Sequence, residues 1–446
     1  MKNKARWIWF AQKCGIASSE MVTVLDKLGA IRDVYLADYD TYIEKGVSER
    51  LAEKLSDKSL DEAYKIIKTC EEKGAQILCY SDEGYPKSLR SLKDPPAVLY
   101  CMGKLPDLNS RLCIATVGTR KMSEYGMRSA YKIAYETASA GAVIVSGMAF
   151  GIDAVCACGA IAAKGKTIAV LGCGIDVIYP KEHARLREKI LECGALITEY
   201  PPATEPRPYH FPVRNRLISG LSQGTVVIDA DVKSGSMITA KCAILQGRDI
   251  YAVPCNIDSE KSGTNELIRD GAQAVVSGHD IVKNYVYTFK DALKMQNLKE
   301  AETRSQFDPS VLAAFSVKAR GEKPADEGAS ARAEKKAAKG IAAGETSPKT
   351  KEKTGVLSET KKSSAESVVA EQNTAAKSGG DDSRAILESL SEKHRRVFEE
   401  MPIDKAIPVD YLIKAGFRPV EVIAALTVLE VRGLISSLPG ALYVRK

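Results

Sequence analysis

Leu112-Cys113-Ile114-Ala115-Thr116-Val117-Gly118-Thr119-Arg120-Lys121 is the stretch on which the fold turns. Six apolar or β-branched residues run without alternation into a glycine and two cations. The same pattern recurs at Ala142–Ser146, Thr167–Leu171, Ala195–Glu199, Thr225–Asp229 and Asp249–Val253, with helix-period segments between. A strand with one wet face alternates; a strand covered on both faces does not. The expected class is therefore α/β, a doubly wound, Rossmann-like parallel sheet. A ligand on such a sheet sits outside the carboxyl ends of the strands.

Outward from this core the chain changes character twice. Upstream, Ser19–Leu28, Leu51–Leu55 and Asp61–Lys73 carry helical apolar spacing separated by glycines, so residues 1–80 are expected to form a small helical (SAM or helix-hairpin-helix-like) domain ahead of the α/β domain at 81–300. Downstream, no Phe, Tyr or Trp occurs between Ser316 and Val397, and Ala, Lys, Glu, Ser and Gly dominate. Such a composition cannot offset its ordering entropy, and 301–383 is expected to be a disordered linker. In the last segment, 384–446, Pro408–Ala415 and Pro419–Val431 read as helices. Ile435–Leu438 and Leu442–Arg445 read as a hairpin around Pro439-Gly440.

The 446 residues are 45% apolar and 27% charged, which excludes global disorder. The net charge of +7 permits a polyanionic partner without demanding one. The eleven cysteines are scattered and odd in number. Trp7–Phe10 is too short for the apolar region of a secretory signal, and no apolar run approaches the ~20 residues of a membrane span. A cytoplasmic protein with reduced thiols and no membrane partner is expected.

The strand-end loops carry Gly118, Thr119, Arg120 and Lys121, then Ser146, Gly147 and Gly151, then Gly172–Asp176, and later Lys233, Ser234, Gly235 and Ser236. Glycine in a βα loop is often only a turn requirement. Its repetition beside Ser, Thr, Arg and Lys favours phosphate binding, because glycine admits a ligand close to the backbone and helix N-termini attract anions. The long segment Pro201–Arg216, read as a loop, interleaves Arg207, Arg214 and Arg216 with Tyr209, His210 and Phe211. Cations for phosphates and rings for bases suit a single strand; a proline-braced loop whose rings merely pack down is the alternative. No G-x-G-x-x-G with a following acid, no Walker loop and no G-x-S-x-G elbow occurs. Cys156 and Cys158 lack a second ligand pair for zinc. Asp153 is expected to cap the helix starting near Ala154. Neither cofactor, metal nor catalytic residue is assigned.

These loops in this order resemble the DNA-processing protein A (DprA/Smf) family. The resemblance rests on Val117–Arg120, Tyr125-Gly126, Ser146-Gly147, Gly151–Asp153, Tyr179-Pro180, Glu199–Pro202, Phe211–Arg216, Lys233–Ala240 and Ser262–Asn265. It implies a nonenzymatic, homodimeric protein that binds and protects single-stranded DNA and helps load the RecA recombinase during DNA uptake and recombination. The single-strand residues are then Gly118, Thr119, Arg120, Lys121, Ser146, Gly147, Gly151, Phe211, Arg214, Asn215, Arg216 and Lys233–Ser236. Thr119 stands where the family usually has Ser, and Ala157 where it usually has His. The C-terminal segment resembles the family's winged-helix module; with only Glu421 and Glu430 charged on its second helix, a protein-interaction or weak backbone role is favoured over duplex readout. An alternative is a phosphoribohydrolase of the Lonely Guy type, whose P-G-G-x-G-T is faintly matched by Ser219–Thr225, though no catalytic Glu follows.

Overall fold

The computed structural model describes residues 1–259, 262–315 and 317 and, with scattered gaps, 390–445. The remainder of the expected linker lies outside the described residues.

The chain opens with six helices: α1 (Lys2–Cys14), α2 (Glu20–Leu28), α3 (Ile31–Leu36), α4 (Tyr39–Glu44), α5 (Glu49–Ser56) and α6 (Asp61–Glu72). The Trp7–Phe10 run lies inside α1, all four side chains buried. In α6, Ala63, Ile66, Ile67 and Cys70 form the buried stripe that a 3.6-residue period dictates. Two short strands follow that the sequence reading did not anticipate: β1 (Gln76–Cys79) and, after the one-turn helix α7 (Lys87–Arg90), β2 (Val98–Gly103). They pair with each other antiparallel, and β2 pairs antiparallel with β6.

The expected strands appear within a residue or two: β3 (Cys113–Val117), β4 (Val143–Ser146), β5 (Lys166–Val170), β6 (Ala195–Thr198), β7 (Gly224–Val227) and β8 (Asp249–Ala252), with a two-residue β9 (Gln273–Ala274). The connecting helices are α8 (Glu124–Ser139), α9 (Ile152–Ala162), α10 (Ala184–Cys193), α11 (His210–Gly220), α12 (Gly235–Leu245) and α13 (Gly263–Arg269). The sheet order is β1-β2-β6-β5-β4-β3-β7-β8-β9, parallel from β6 onward. The chain winds from β3 outward to β6, then returns to lay β7 on the other side of β3.

Each central strand feeds two cores. Ile114, Ile144 and Leu196 face one cluster, which also holds the N-terminal helices, α8 and α9. Cys113, Val117, Val143, Val145 and Ile197 face the other, under α7, α11 and α13. Both clusters are dry, which explains why the strands do not alternate in sequence. Trp9, Tyr42, Ile67 and Ile114 share the first cluster, so residues 1–80 have no separate core.

Beyond β9 lie α14 (Gly278–Val282), α15 (Met295–Arg304) and α16 (Pro309–Ala314). This corrects the expected start of the linker at 301. Leu298, Ala301 and Leu312 are buried, with α15 packed on α8 and α16 on α9. Buried Glu136 accepts from the Gly278 amide at 2.7 Å and the Ser305 hydroxyl at 2.8 Å, tying the tail to α8. In the C-terminal segment, helices Glu392–Glu400 and Val409–Lys414 accompany a three-stranded antiparallel sheet of Ile407–Pro408, Leu442–Arg445 and Ile435–Leu438. The second expected helix, Pro419–Val431, lies largely outside the described residues.

Candidate nucleic-acid interface

The carboxyl ends of β3, β4 and β5 and the start of α11 surround a small, partly open pocket. Arg120, Gly147, Phe150, Tyr179, Phe211 and Arg214 line it. Phe211 is its centre. Its ring lies 5.4 Å from that of Tyr179 at an interplanar angle of 31°. The Arg120 and Arg214 guanidinium carbons lie 5.7 and 5.8 Å from the same ring, within cation–π range. Exposed Arg120 and Tyr179 beside half-buried Phe211 offer charge and stacking together, with Arg214 buried beneath them.

The segment taken from sequence as a loop through Arg216 is helical from His210. Five prolines between 201 and 212 suggested continuous loop, but Pro212 occupies the first turn, where its missing N–H had no partner to lose. The helix explains why Phe211, Arg214 and Asn215 share a side: they are three and four residues apart.

Arg214 is buried, donating to the carbonyls of Gly147 at 3.0 Å and Val170. Burial pushes its pKa below the ordinary range, opposed chiefly by the Asp153 carboxylate. Asp153 in turn accepts from the Gly147 and Ala149 amides at 3.0 and 3.4 Å. It therefore sits in the second position of α9 and braces the preceding loop, not the capping position expected. A Cβ on Gly147 would lie 2.5 Å from the Arg214 guanidinium; only glycine lets the two approach. Gly151 has φ +79 and presses on the Thr119 carbonyl.

The other expected site residues divide. Gly118 packs on Ile152. The Thr119 amide donates to the Asp229 carbonyl at 2.6 Å, and its hydroxyl accepts from the Lys121 amide. These two support the loop that carries exposed Arg120. Lys121 is exposed and Ser146 fully buried. Asn215 reaches the Gly235 carbonyl at 3.5 Å, linking α11 to the start of α12, where Lys233, Ser234, Gly235 and Ser236 lie outside the pocket. Lys233 is exposed there, and the Ser234 and Ser236 hydroxyls are 2.6 Å apart.

Arg216 departs most from expectation. It is buried and points away from the pocket, pairing with Glu199 and donating to the Asp94 carbonyl at 2.7 Å. Two residues along the helix, at about 100° each, set it about 200° from Arg214, so the two arginines cannot share a groove. Sequence reading also left out Tyr179 and Pro180, though both were visible in the third loop; they wall the pocket, and exposed Lys181 follows them. The segment Ser219–Thr225 joins α11 to the start of β7. It thus lies at the opposite edge of the sheet from the pocket, which is no place for a phosphate-cradling strand-end loop. Among the described residues no cluster of three potential metal ligands occurs, and no helix is long and apolar enough to cross a membrane.

The family model for DNA recombination-mediator protein A matches residues 76–286. The DNA processing protein DprA of Bacillus subtilis is 41% identical over 218 residues, spanning 49% of this chain and 73% of that protein. The chain belongs to this recombination-mediator family. Protein Smf of Escherichia coli is 41% identical over 216 residues, covering 48% of this chain and 58% of that one. The X-ray structure of DNA processing protein A from Streptococcus pneumoniae superposes with a TM-score of 0.55 at 34% identity, over 62% of this chain and 97% of that one. The family model's range takes in β1 and β2 as well as the parallel sheet. Of the two departures from the recombination-mediator pattern, Thr119 keeps a hydroxyl that caps its own loop. Ala157 is fully buried within α9, among apolar side chains rather than in the pocket.

Proposed function

We propose that the chain binds single-stranded DNA at this strand-end pocket, without catalytic turnover. The observation that carries the reading is half-buried Phe211, with the Arg120 and Arg214 guanidinium groups within cation–π range of its ring and exposed Tyr179 beside it. A base stacked there is worth ~1–3 kcal/mol, while Arg120, Lys121 and Lys181 neutralise phosphates on either side. Family membership supports extending the role to strand protection and RecA loading in DNA uptake and recombination, in the cytoplasm and as a homodimer. The C-terminal segment, with helices beside an antiparallel three-stranded sheet, fits a winged-helix module that contacts protein more than duplex bases.

Fluorescence anisotropy with single-stranded and duplex oligonucleotides across a salt series tests the reading. Single strands are expected to bind more tightly, and Arg120→Ala and Phe211→Ala to weaken them. Equal affinity for duplex, or indifference to both substitutions, overturns the assignment.

A further inference from the structure

At the opposite edge of the sheet, where β3, β4 and β5 begin, a second cleft of about 440 Å³ opens to solvent. Arg111, Lys164, Lys166 and Lys294 line it, with Asp291 as its only acidic residue. Among the described residues none of these four cations has an ion-pair partner. The cleft is built rather than incidental. The Lys294 amide donates to the Ala140 carbonyl at 2.9 Å and the Asn297 amide group to the Ser139 carbonyl at 3.3 Å. Gly141 has φ +102 and lies against the Ala292 carbonyl with no room for a side chain. The segment after residue 290 is thereby strapped across the end of α8.

Cations at helix carboxyl ends have an ordinary use, since each terminus carries about half a negative charge. Two such ends, Asp291 and the Asp107 carboxylate that Arg111 also attracts offset part of the four positive charges. The surplus sits in a concave, solvent-filled space, and cations gathered in a cleft attract polyanions.

We propose that this cleft holds the phosphodiester backbone of the same single strand beyond the portion seated in the pocket. The cleft would then make the protein's affinity depend on strand length. This rests on the proposed pocket, and it predicts a division of labour: rings and Arg120 grip one short stretch, and the basal cleft adds purely electrostatic contacts to a longer one.

The test uses the full chain and oligothymidylates of about 8 and about 60 nucleotides, the shorter matching one typical binding site. Lys164→Glu/Lys294→Glu is expected to weaken the long strand at least tenfold and to lower its log–log salt slope by ~0.7 per lost contact. The short strand is expected to bind unchanged. Lys164→Gln/Lys294→Gln, expected to show the same slope change with a smaller loss, carries the test if the doubly reversed variant does not fold. Unaltered long-strand affinity and slope in a folded variant overturn the proposal, as does an equal loss for both lengths. Arg120→Ala separates the two readings: it should weaken both strands. If it weakens neither while the cleft variant still loses the long strand, the pocket assignment fails and the cleft stands.

Discussion

Arg216 donates to Glu199 and to the Asp94 carbonyl from inside the protein, so truncating it leaves a buried carboxylate without its cation. Arg216→Ala is expected to cost roughly 3–5 kcal/mol of stability and to lower the melting temperature, leaving the salt slope for a short strand unchanged. Arg120→Ala should do the reverse, keeping its melting temperature and lowering that slope by ~0.7. Matching slope losses in both variants would return Arg216 to the DNA groove. Phe211→Ala should lose ~1–3 kcal/mol of single-strand affinity, and Phe211→Tyr should retain most of it. A titration in which Tyr binds as poorly as Ala would show that the ring only packs. Residue types in order were enough to bring Arg120, Gly147 and Phe211 into one candidate site, and the three line one pocket. Residue types could not separate Arg214 from Arg216: both are buried, and what differs is the partners, Gly147 and Val170 for one, Glu199 and Asp94 for the other, none of which carries a local signal.

Helices and strands were legible in proportion to their apolar period. The six parallel strands announced themselves because dry faces on both sides demand unbroken Val, Ile and Ala. β1 is only four residues and alternates exposed and buried, too short for its period to stand out. α11 hid behind its prolines, and α15 behind a composition nearly as charged as the segment that follows. In α15, Leu298 is buried to 1% exposure, and Leu298→Ala is expected to cost about 2–5 kcal/mol. Correspondingly, a fragment of residues 1–317 should keep single-strand affinity within about tenfold, ~1.4 kcal/mol, while one ending at 290 should melt lower. Equal melting temperatures for the two fragments would mean that α15 and α16 contribute nothing to the fold.

The molecule as a whole is expected to lose stability in mild acid through its strand-end loops. His183 is fully buried, its Nδ1 3.1 Å from the Met148 carbonyl, and burial lowers its pKa; burial lowers that of His210 likewise. Both imidazoles thus take up protons more readily in the unfolded chain. Their stabilising contribution is complete above the unfolded value of about 6.5 and falls as pH drops through it. Denaturant titrations at pH about 7.5 and about 5.5 should show lower stability at the lower pH, with a smaller difference in His183→Asn. An unchanged difference would locate the pH dependence elsewhere. The return of the chain to β3 has its own consequence during synthesis. β3 pairs with β4 almost at once, but its other neighbour, β7, begins only at Gly224. At translation rates of ~5–20 residues per second, the apolar flank of Cys113–Val117 waits on the order of 5–20 s with open N–H and C=O groups. That is the condition under which a strand edge recruits foreign strands. A ribosome stalled shortly before Gly224 should therefore present an aggregation-prone nascent chain that chaperones hold, and one released just past Val227 should not.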